Sequence, residues 1–366
     1  MKKKIFITQP FLPPLDEYNK LLHKIWDSKV LTNSGNFHQE FEKKLTNYLN
    51  VKYLSIVNNA TTGLILAQKA MKFKGEIITT PYSFIATAHS ILWNGLKPVF
   101  IDVDIQHGNL DISKVEDAID GKTGGILASH NYGIPCDMNE LKRISIKYDI
   151  PILIDAAPAM GVKLDNKSIF DYGVTSVVSF HGTKVFTTME GGAVICQSLE
   201  IKEEIDRMKN FSILNENQIV GLGVNGKMNE AEAALGIIQL EYLETAINKR
   251  KIIFKKYRNL IGNSKKIRLI DIPNNISYNY CYVPIFFSEG KQKRDVAYKI
   301  MREKNIICRK YWSPLITDHI PYSKMNYFKL VNAKILSDNV LCLPIYPDLK
   351  QAELNKIFDT LITFIN

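Results

Sequence analysis

A chain of 366 residues exceeds what one compact core usually spans, so a large unit with a second, smaller one is expected. Hydrophobic residues at 46% and charged residues at 23% are those of an ordinary globular protein and exclude a disordered or low-complexity chain. The formal net charge of +10 suits an anionic small substrate better than nucleic acid. The start MKKK is short, and the run KRKIIFKK around 248–256 alternates with apolar residues as a solvated helix face would, so neither is a nucleic-acid reader motif.

In chain order, IFITQPFLPP (5–14) holds prolines and polar residues where a leader would carry an apolar core, so no signal peptide is expected. FHQEFEKKLTNYLN (37–50) is an amphipathic helix with Phe37, Phe41, Leu45 and Leu49 on one side. YLSIVNNA (53–60) is a short strand running into a turn, and TTGLILAQKAM (61–71) is a helix. EIITTP (76–81) is a buried strand, SFIATAHSILWNG (83–95) a helix, and KPVFIDVD (97–104) a strand again. GILASHNYG (125–133), PILIDAA (151–157) and VTSVVSFH (174–181) are three further apolar runs that each end in polar residues. Strands alternating with helices imply an α/β fold with a mostly parallel sheet covered on both faces, and such sheets bind ligands at the carboxyl ends of their strands. AEAALGIIQLEYLETAINKRKIIFKKYRNLI (231–261) is one long helix leading to a smaller lobe with the strand YCYVPIFF (280–287). The expected division is a large domain at 1–245 and a small C-terminal α/β domain at 246–366. No stretch of 18 apolar residues occurs, so no membrane span is expected. Cys136, Cys196, Cys281, Cys308 and Cys342 are odd in number and none are spaced as a metal or redox pair, which implies free thiols, no metal and a cytoplasmic setting.

Four places carry chemistry. Asp155 ends the buried strand ILID, where a carboxylate is costly unless paired; it is either a structural ion pair or helix cap, or a partner for a protonated ring nitrogen. Lys184 lies in SVVSFHGTKVFTTMEGGAVIC (176–196), between two strands and before the turn Glu190-Gly191-Gly192. It is either a surface charge or a partly desolvated amine able to form Schiff bases, with the hydroxyls of Ser179 and Thr183 nearby to suit a phosphate. NNATTG (58–63) joins a strand to a helix start, which with Thr61 and Thr62 makes an anion site or simply a capped helix. Phe84 in TPYSFIATAH (80–89) is either core or a flat ring for a cofactor to stack on.

Taken in order, anion-binding turn, aromatic ring, Asp, then Ser-x-His-x-x-Lys, these residues resemble the DegT/DnrJ/EryC1/StrS sugar aminotransferases, fold-type I enzymes that depend on pyridoxal 5′-phosphate. The resemblance runs from LTNSGNFHQEFEKKL (31–45) through PYSFIATAHSILWNGLKPVFIDVD (81–104), IPILIDAAPAMGV (150–162), SFHGTKVFTTMEGGAVIC (179–196) and GVNGKMNEAEAALGIIQL (223–240) to NVLCLPIYPDL (339–349). It implies a central seven-stranded sheet, Lys184 as the lysine that carries the cofactor and Asp155 as the aspartate facing the pyridine nitrogen. It also implies Ser179, Ala60 and Thr61 at the phosphate, and Phe84 against the ring. Asn225 matches an asparagine that reaches the phosphate of the neighbouring subunit's cofactor, which implies a homodimer with shared sites.

Two departures stand out: Pro158 replaces a glutamine that serves the ring hydroxyl, and Lys227 replaces an arginine, keeping the charge without the bidentate fork. The opening 7–35 with NNAT and TTPYSFIATAHSILWNG is similar to members that make dTDP-4-amino-4,6-dideoxyglucose. The implied reaction is amino transfer from L-glutamate to a nucleotide-linked 4-keto-6-deoxyhexose, with Lys227, Arg309, Lys310 and Tyr311 as candidate substrate contacts or as structural residues. Rival readings on the same fold are amination at C3, a sugar dehydratase, and a non-catalytic regulatory relative. Retention of Lys184, which some dehydrating relatives replace with histidine, favours transamination, and Lys184, Asp155 and Ser179 together speak against a non-catalytic relative.

Overall fold

Seven short aliphatic runs build one sheet in the computed structural model, which describes residues 4–325 and 328–365. The basic start at 1–3 lies outside the described residues. The strands are β1 (Tyr53–Val57), β2 (Glu76–Thr79), β3 (Lys97–Phe100), β4 (Thr123–Ser129), β5 (Ile152–Asp155), β6 (Thr175–Ser179) and β7 (Gly192–Cys196). Their spatial order is β1-β7-β6-β5-β4-β2-β3. The pairs of β2 with β3 and β4, of β4 with β5, and of β5 with β6 are parallel; β7 alone runs antiparallel to both its neighbours. Strands covered on both faces need apolar residues at every position rather than at alternate ones. β5, β6 and β7 accordingly bury all their residues.

Helices α1 (Leu15–Ser28), α2 (Asn36–Leu49), α3 (Ala60–Ala70), α4 (Ile85–Trp93), α5 (Met138–Tyr148) and α6 (Leu199–Met208) accompany this sheet. α2 turns Phe41, Leu45 and Leu49 into the core at intervals of four, with Phe37 half-buried beside them.

α7 (Glu230–Ile261) has 32 residues and so a length of about 48 Å. Asn229 caps its start by accepting the Glu232 N–H at 2.9 Å. The helix packs on α1 and α2, continues unbroken through residue 245, and reaches a three-stranded antiparallel sheet. That sheet, β10 (Ile267–Leu269), β11 (Pro284–Phe287) and β12 (Val340–Cys342), follows a small hairpin of β8 (Ile213–Asn215) and β9 (Gln218–Ile219) in the chain. Helices α8 (Lys291–Glu303), α9 (Val331–Asn339) and α10 (Gln351–Ile365) belong to the same lobe. The buried Asp102 carboxylate, just past β3, accepts the N–H groups of Asn332 at 3.0 Å and Ala333 at 2.8 Å, tying the start of α9 to the large sheet.

The basic run near 248–256 is not the uniformly solvated face its alternation suggests. Arg250 is fully buried, and its guanidinium donates to the Ile345 carbonyl at 3.1 Å and to Thr8 Oγ1 at 3.4 Å. A buried guanidinium is tolerated only where acceptors meet it. Among the described residues no helix is long and apolar enough to cross a membrane.

Candidate active site

The polar ends of β1, β5 and β6 open into one cavity of about 320 Å³. Asp155 is the last residue of β5 and is 5% exposed. Its carboxylate accepts Thr87 Oγ1 of α4 at 2.7 Å and the Ala157 N–H at 3.1 Å. Burial pushes its pKa above the ordinary carboxylate value, opposed by those two hydrogen bonds and by the charge of Lys184. Lys184 lies on the loop that joins β6 to β7. Burial lowers its pKa from the ordinary lysine value, against the pull of Asp155. A carboxylate and an amine with depressed basicity thus share one cavity.

The lysine loop is held by its own sequence. Phe180 N–H donates to the Gly191 carbonyl at 2.9 Å and Lys184 N–H to the His181 carbonyl at 2.9 Å. The rings of Phe180 and Phe186 meet edge to face with centroids 4.9 Å apart, and Phe41 of α2 joins them. The two phenylalanines of the SFHGTKVF stretch are therefore anchors, and the hydrophilic residues between them are left facing the cavity. Ser179 and Thr183 both line it, and the Ser179 hydroxyl accepts the His181 N–H at 3.3 Å while keeping its own proton to donate.

The 58–63 turn is a capped helix start that also leaves main-chain donors open. Asn59 caps α3, its Oδ1 accepting Thr62 N–H at 2.8 Å, and Gly63 N–H reaches the Asn59 carbonyl at 3.1 Å. The amides of Ala60 and Thr61, the first two of the helix, find no such acceptor among the described residues, and both residues line the cavity. A Cβ built on Gly192 would fall 2.9 Å from the Ala60 nitrogen and 2.8 Å from the Val178 carbonyl oxygen. The glycine is what lets the helix start sit against β7. Gly192→Ala is expected to displace that start, lowering stability by about 1–3 kcal/mol and weakening anion binding. Thermal melts and titration with a phosphorylated cofactor check this.

Phe84 stands immediately before α4, is 56% exposed, and lines the cavity with its ring 5.9 Å from that of Trp312. It is not core. Tyr311, Trp312 and Tyr282 come from the other lobe to form the remaining wall. Burial pushes the Tyr311 phenol up to about 12, so it stays a hydrogen-bond donor at neutral pH. Thr87, Tyr282 and Trp312 were not singled out from the sequence: Thr87 lies within the 80–89 stretch read for Phe84, Tyr282 within the 280–287 strand and Trp312 beside Tyr311, and nothing in their spacing marks them as site residues.

Four candidates lie away from this cavity. Asn225 is exposed at the edge of the 210–226 loop, where its carbonyl oxygen lies 3.4 Å from Asn58 Nδ2. Lys227 Nζ donates to Asn210 Oδ1 at 2.7 Å and lies over the Phe211 ring. Lys310 Nζ donates to Asp295 at 3.2 Å, and Arg309 uses its main chain to pair with Cys342. Within one chain, therefore, Ala60, Thr61, Phe84, Asp155, Ser179, Lys184 and Tyr311 come together, and Asn225, Lys227, Arg309 and Lys310 do not join them.

The arrangement suits a compact ring bearing an aldehyde and a phosphate: open amides and the Ser179 hydroxyl for the phosphate, a carboxylate for a ring nitrogen, and an amine for the aldehyde. Residues 15–362 match the DegT/DnrJ/EryC1/StrS aminotransferase family. The chain is 43% identical to a dTDP-4-amino-4,6-dideoxy-D-glucose transaminase of Shigella dysenteriae, over 99% of each chain. It is equally similar, 43% over 98% of each, to the Escherichia coli protein of that name. Among solved structures, DesI in the presence of its TDP-sugar product superposes with a TM-score of 0.94 at 27% identity, covering 99% of this chain and 93% of that one. Helicobacter pylori PseC, an aminotransferase involved in the biosynthesis of pseudoaminic acid, gives 0.92 at 25% identity with 99% of both covered.

Proposed function

Because this chain belongs to the DegT/DnrJ/EryC1/StrS aminotransferase family, we propose that its strand-end cavity transfers an amino group from L-glutamate to dTDP-4-keto-6-deoxy-D-glucose, giving dTDP-4-amino-4,6-dideoxy-D-glucose. The chain is a sugar aminotransferase, and its cofactor is pyridoxal 5′-phosphate. The observation that carries the reading is the pair of Asp155 and Lys184 across one cavity beside an unengaged helix start.

When bound, the cofactor supplies an aldehyde to receive the amino group and a ring that draws electrons from the reacting carbon. The Ala60 and Thr61 amides with the Ser179 hydroxyl would hold its phosphate, and Phe84 would offer its ring a flat partner. Asp155 holds a proton on the ring nitrogen, its own position fixed by Thr87 and Ala157. The Lys184 amine would accept the proton that leaves the Cα of the amino donor and, as its ammonium, give a proton back to the reacting carbon of the amino acceptor, a role that needs a pKa nearer neutrality than a solvated lysine has.

The full site also takes in a second copy of the chain, with Asn225 reaching the neighbour's phosphate. The 210–226 loop beside Asn225 presents Ile213, Leu214, Ile219 and Leu222 to solvent, Leu222 being 89% exposed, and an apolar surface of that kind suits a protein interface. A division into domains at about residue 245 and a cytoplasmic setting complete the reading; five buried free thiols are in keeping with the latter.

Purified protein loaded with pyridoxal phosphate is expected to be yellow. L-Glutamate alone should bleach the visible band, and the keto sugar should restore it. A band that persists in excess glutamate would remove the proposed donor.

A further inference from the structure

We propose that the turn residues Asn131 and Tyr132 are positioning residues that fix Tyr311 and Trp312 as a rigid wall for the sugar nucleotide; this rests on the reading of the cavity given above. Residues 310–315 bridge the two sheets without belonging to either. On one side Arg309 and Cys342 exchange main-chain hydrogen bonds of 3.3 and 2.7 Å; on the other Ile316 N–H donates to the Pro81 carbonyl at 3.0 Å. Between those anchors lie the two aromatic side chains that face the cavity. A bridging segment with no ladder of its own is free to move unless side chains hold it.

Two neighbours on the turn after β4 do so. The Tyr132 phenol donates to the Tyr311 carbonyl. With that proton committed, its oxygen accepts from the Tyr82 phenol at 2.6 Å. Both phenols are fully buried. The Trp312 indole N–H donates to Asn131 Oδ1 at 2.6 Å. The Asn131 amide has no freedom to turn over, because its Nδ2 donates to the His107 and Gly108 carbonyls at 3.2 and 3.3 Å. Its own main-chain N–H is held by Asn109 Oδ1 at 2.8 Å. Tyr132 takes a left-handed backbone, φ 53° and ψ 18°, which a bulky side chain rarely adopts. That kink turns two successive residues toward two successive residues, 131 to 312 and 132 to 311. Gly108 leaves the room: a Cβ there would lie 2.7 Å from both Asn131 Nδ2 and the Tyr82 ring. A phenylalanine at 132 would fill the same volume, so what tyrosine adds is its hydroxyl, which holds the wall at the Tyr311 carbonyl and is met by Tyr82, whose own phenol is 3.5 Å from that carbonyl. Trp312 in turn faces the Phe84 ring at 5.9 Å, so its position sets the gap through which a ligand meets the cofactor face.

The test is Tyr132→Phe in the cofactor-loaded enzyme. The glutamate bleaching rate should stay within about twofold, while KM for the keto sugar nucleotide rises roughly five- to tenfold with kcat little changed, as for loss of one hydrogen bond that positions a binding surface. Equal slowing of both half-reactions, as from general loosening, or an unchanged KM overturns the proposal. A second readout needs no substrate. The chain has three tryptophans, and Trp26 and Trp93 are 68% and 77% exposed. In a Trp26→Phe/Trp93→Phe background emission reports Trp312 alone, and Tyr132→Phe should shift it to the red and increase acrylamide quenching. An unchanged spectrum overturns the proposal. Should the parent enzyme fail to aminate the sugar, the functional reading falls and the fluorescence still decides this one. If Tyr132→Phe does not fold, Tyr82→Phe removes the bond behind it and should move the same readouts by less; no movement then counts against the proposal.

Discussion

Lys184→Ala is expected to reduce amino transfer by roughly 10⁴-fold or more, because it deletes a nucleophile and a proton carrier at once and proton transfer alone contributes about 10²–10⁴-fold. The fold should survive. The lysine is held in place by the main chain and by the phenylalanines on either side of it, not by its ammonium group, which takes part in no salt bridge among the described residues. Melting temperature should therefore stay at or slightly above that of the parent, since a cation depressed by burial is removed. Single-turnover amination at saturating glutamate and sugar is the measurement. Turnover within tenfold of the parent would show that another amine does the work.

Asp155→Asn is expected to lower turnover by about 10²–10³-fold, the usual cost of removing one preorganised electrostatic partner from an active site. The substitution keeps the volume of the side chain but leaves one oxygen where there were two. The remaining oxygen can keep the Ala157 N–H, and Thr87 Oγ1 can accept the new Nδ2 while donating to Ser83 Oγ, its neighbour at 2.8 Å. Stability should therefore change by less than about 1 kcal/mol, the partners being kept and a carboxylate disfavoured by burial being removed. The two effects separate by assay: cofactor colour and melting report the second, and the rate of glutamate bleaching reports the first. Wild-type bleaching by the asparagine variant would mean that no carboxylate is needed at the ring nitrogen.

Much of this was readable before folding. Apolar runs ending in polar residues gave the parallel sheet and placed Asp155, Ser179 and the 58–62 turn at its carboxyl edge, since strand direction and crossover rules leave few alternatives. What could not be read were partnerships between distant residues. Thr87 meets Asp155 across 68 positions, and Trp312 meets Asn131 across 181, with no periodic trace in between. Charge was the poorest guide. Lys227 and Lys310 were left open between substrate contacts and structural residues, and in the fold each is engaged by a side-chain oxygen; Arg250 looked solvated and is buried. A count of cations fixes attraction at long range but not where any one side chain will find its acceptor.

The antiparallel insertion of β7 carries a consequence for how this enzyme can change. Ser179 and Gly192 are paired across adjacent strands, so the twelve-residue excursion between them begins and ends at one fixed gate of the sheet. Such an excursion behaves as an exchangeable cassette. Positions between the Phe180 and Phe186 anchors can be rewritten to alter reactivity while the anchors and the strand order stay put.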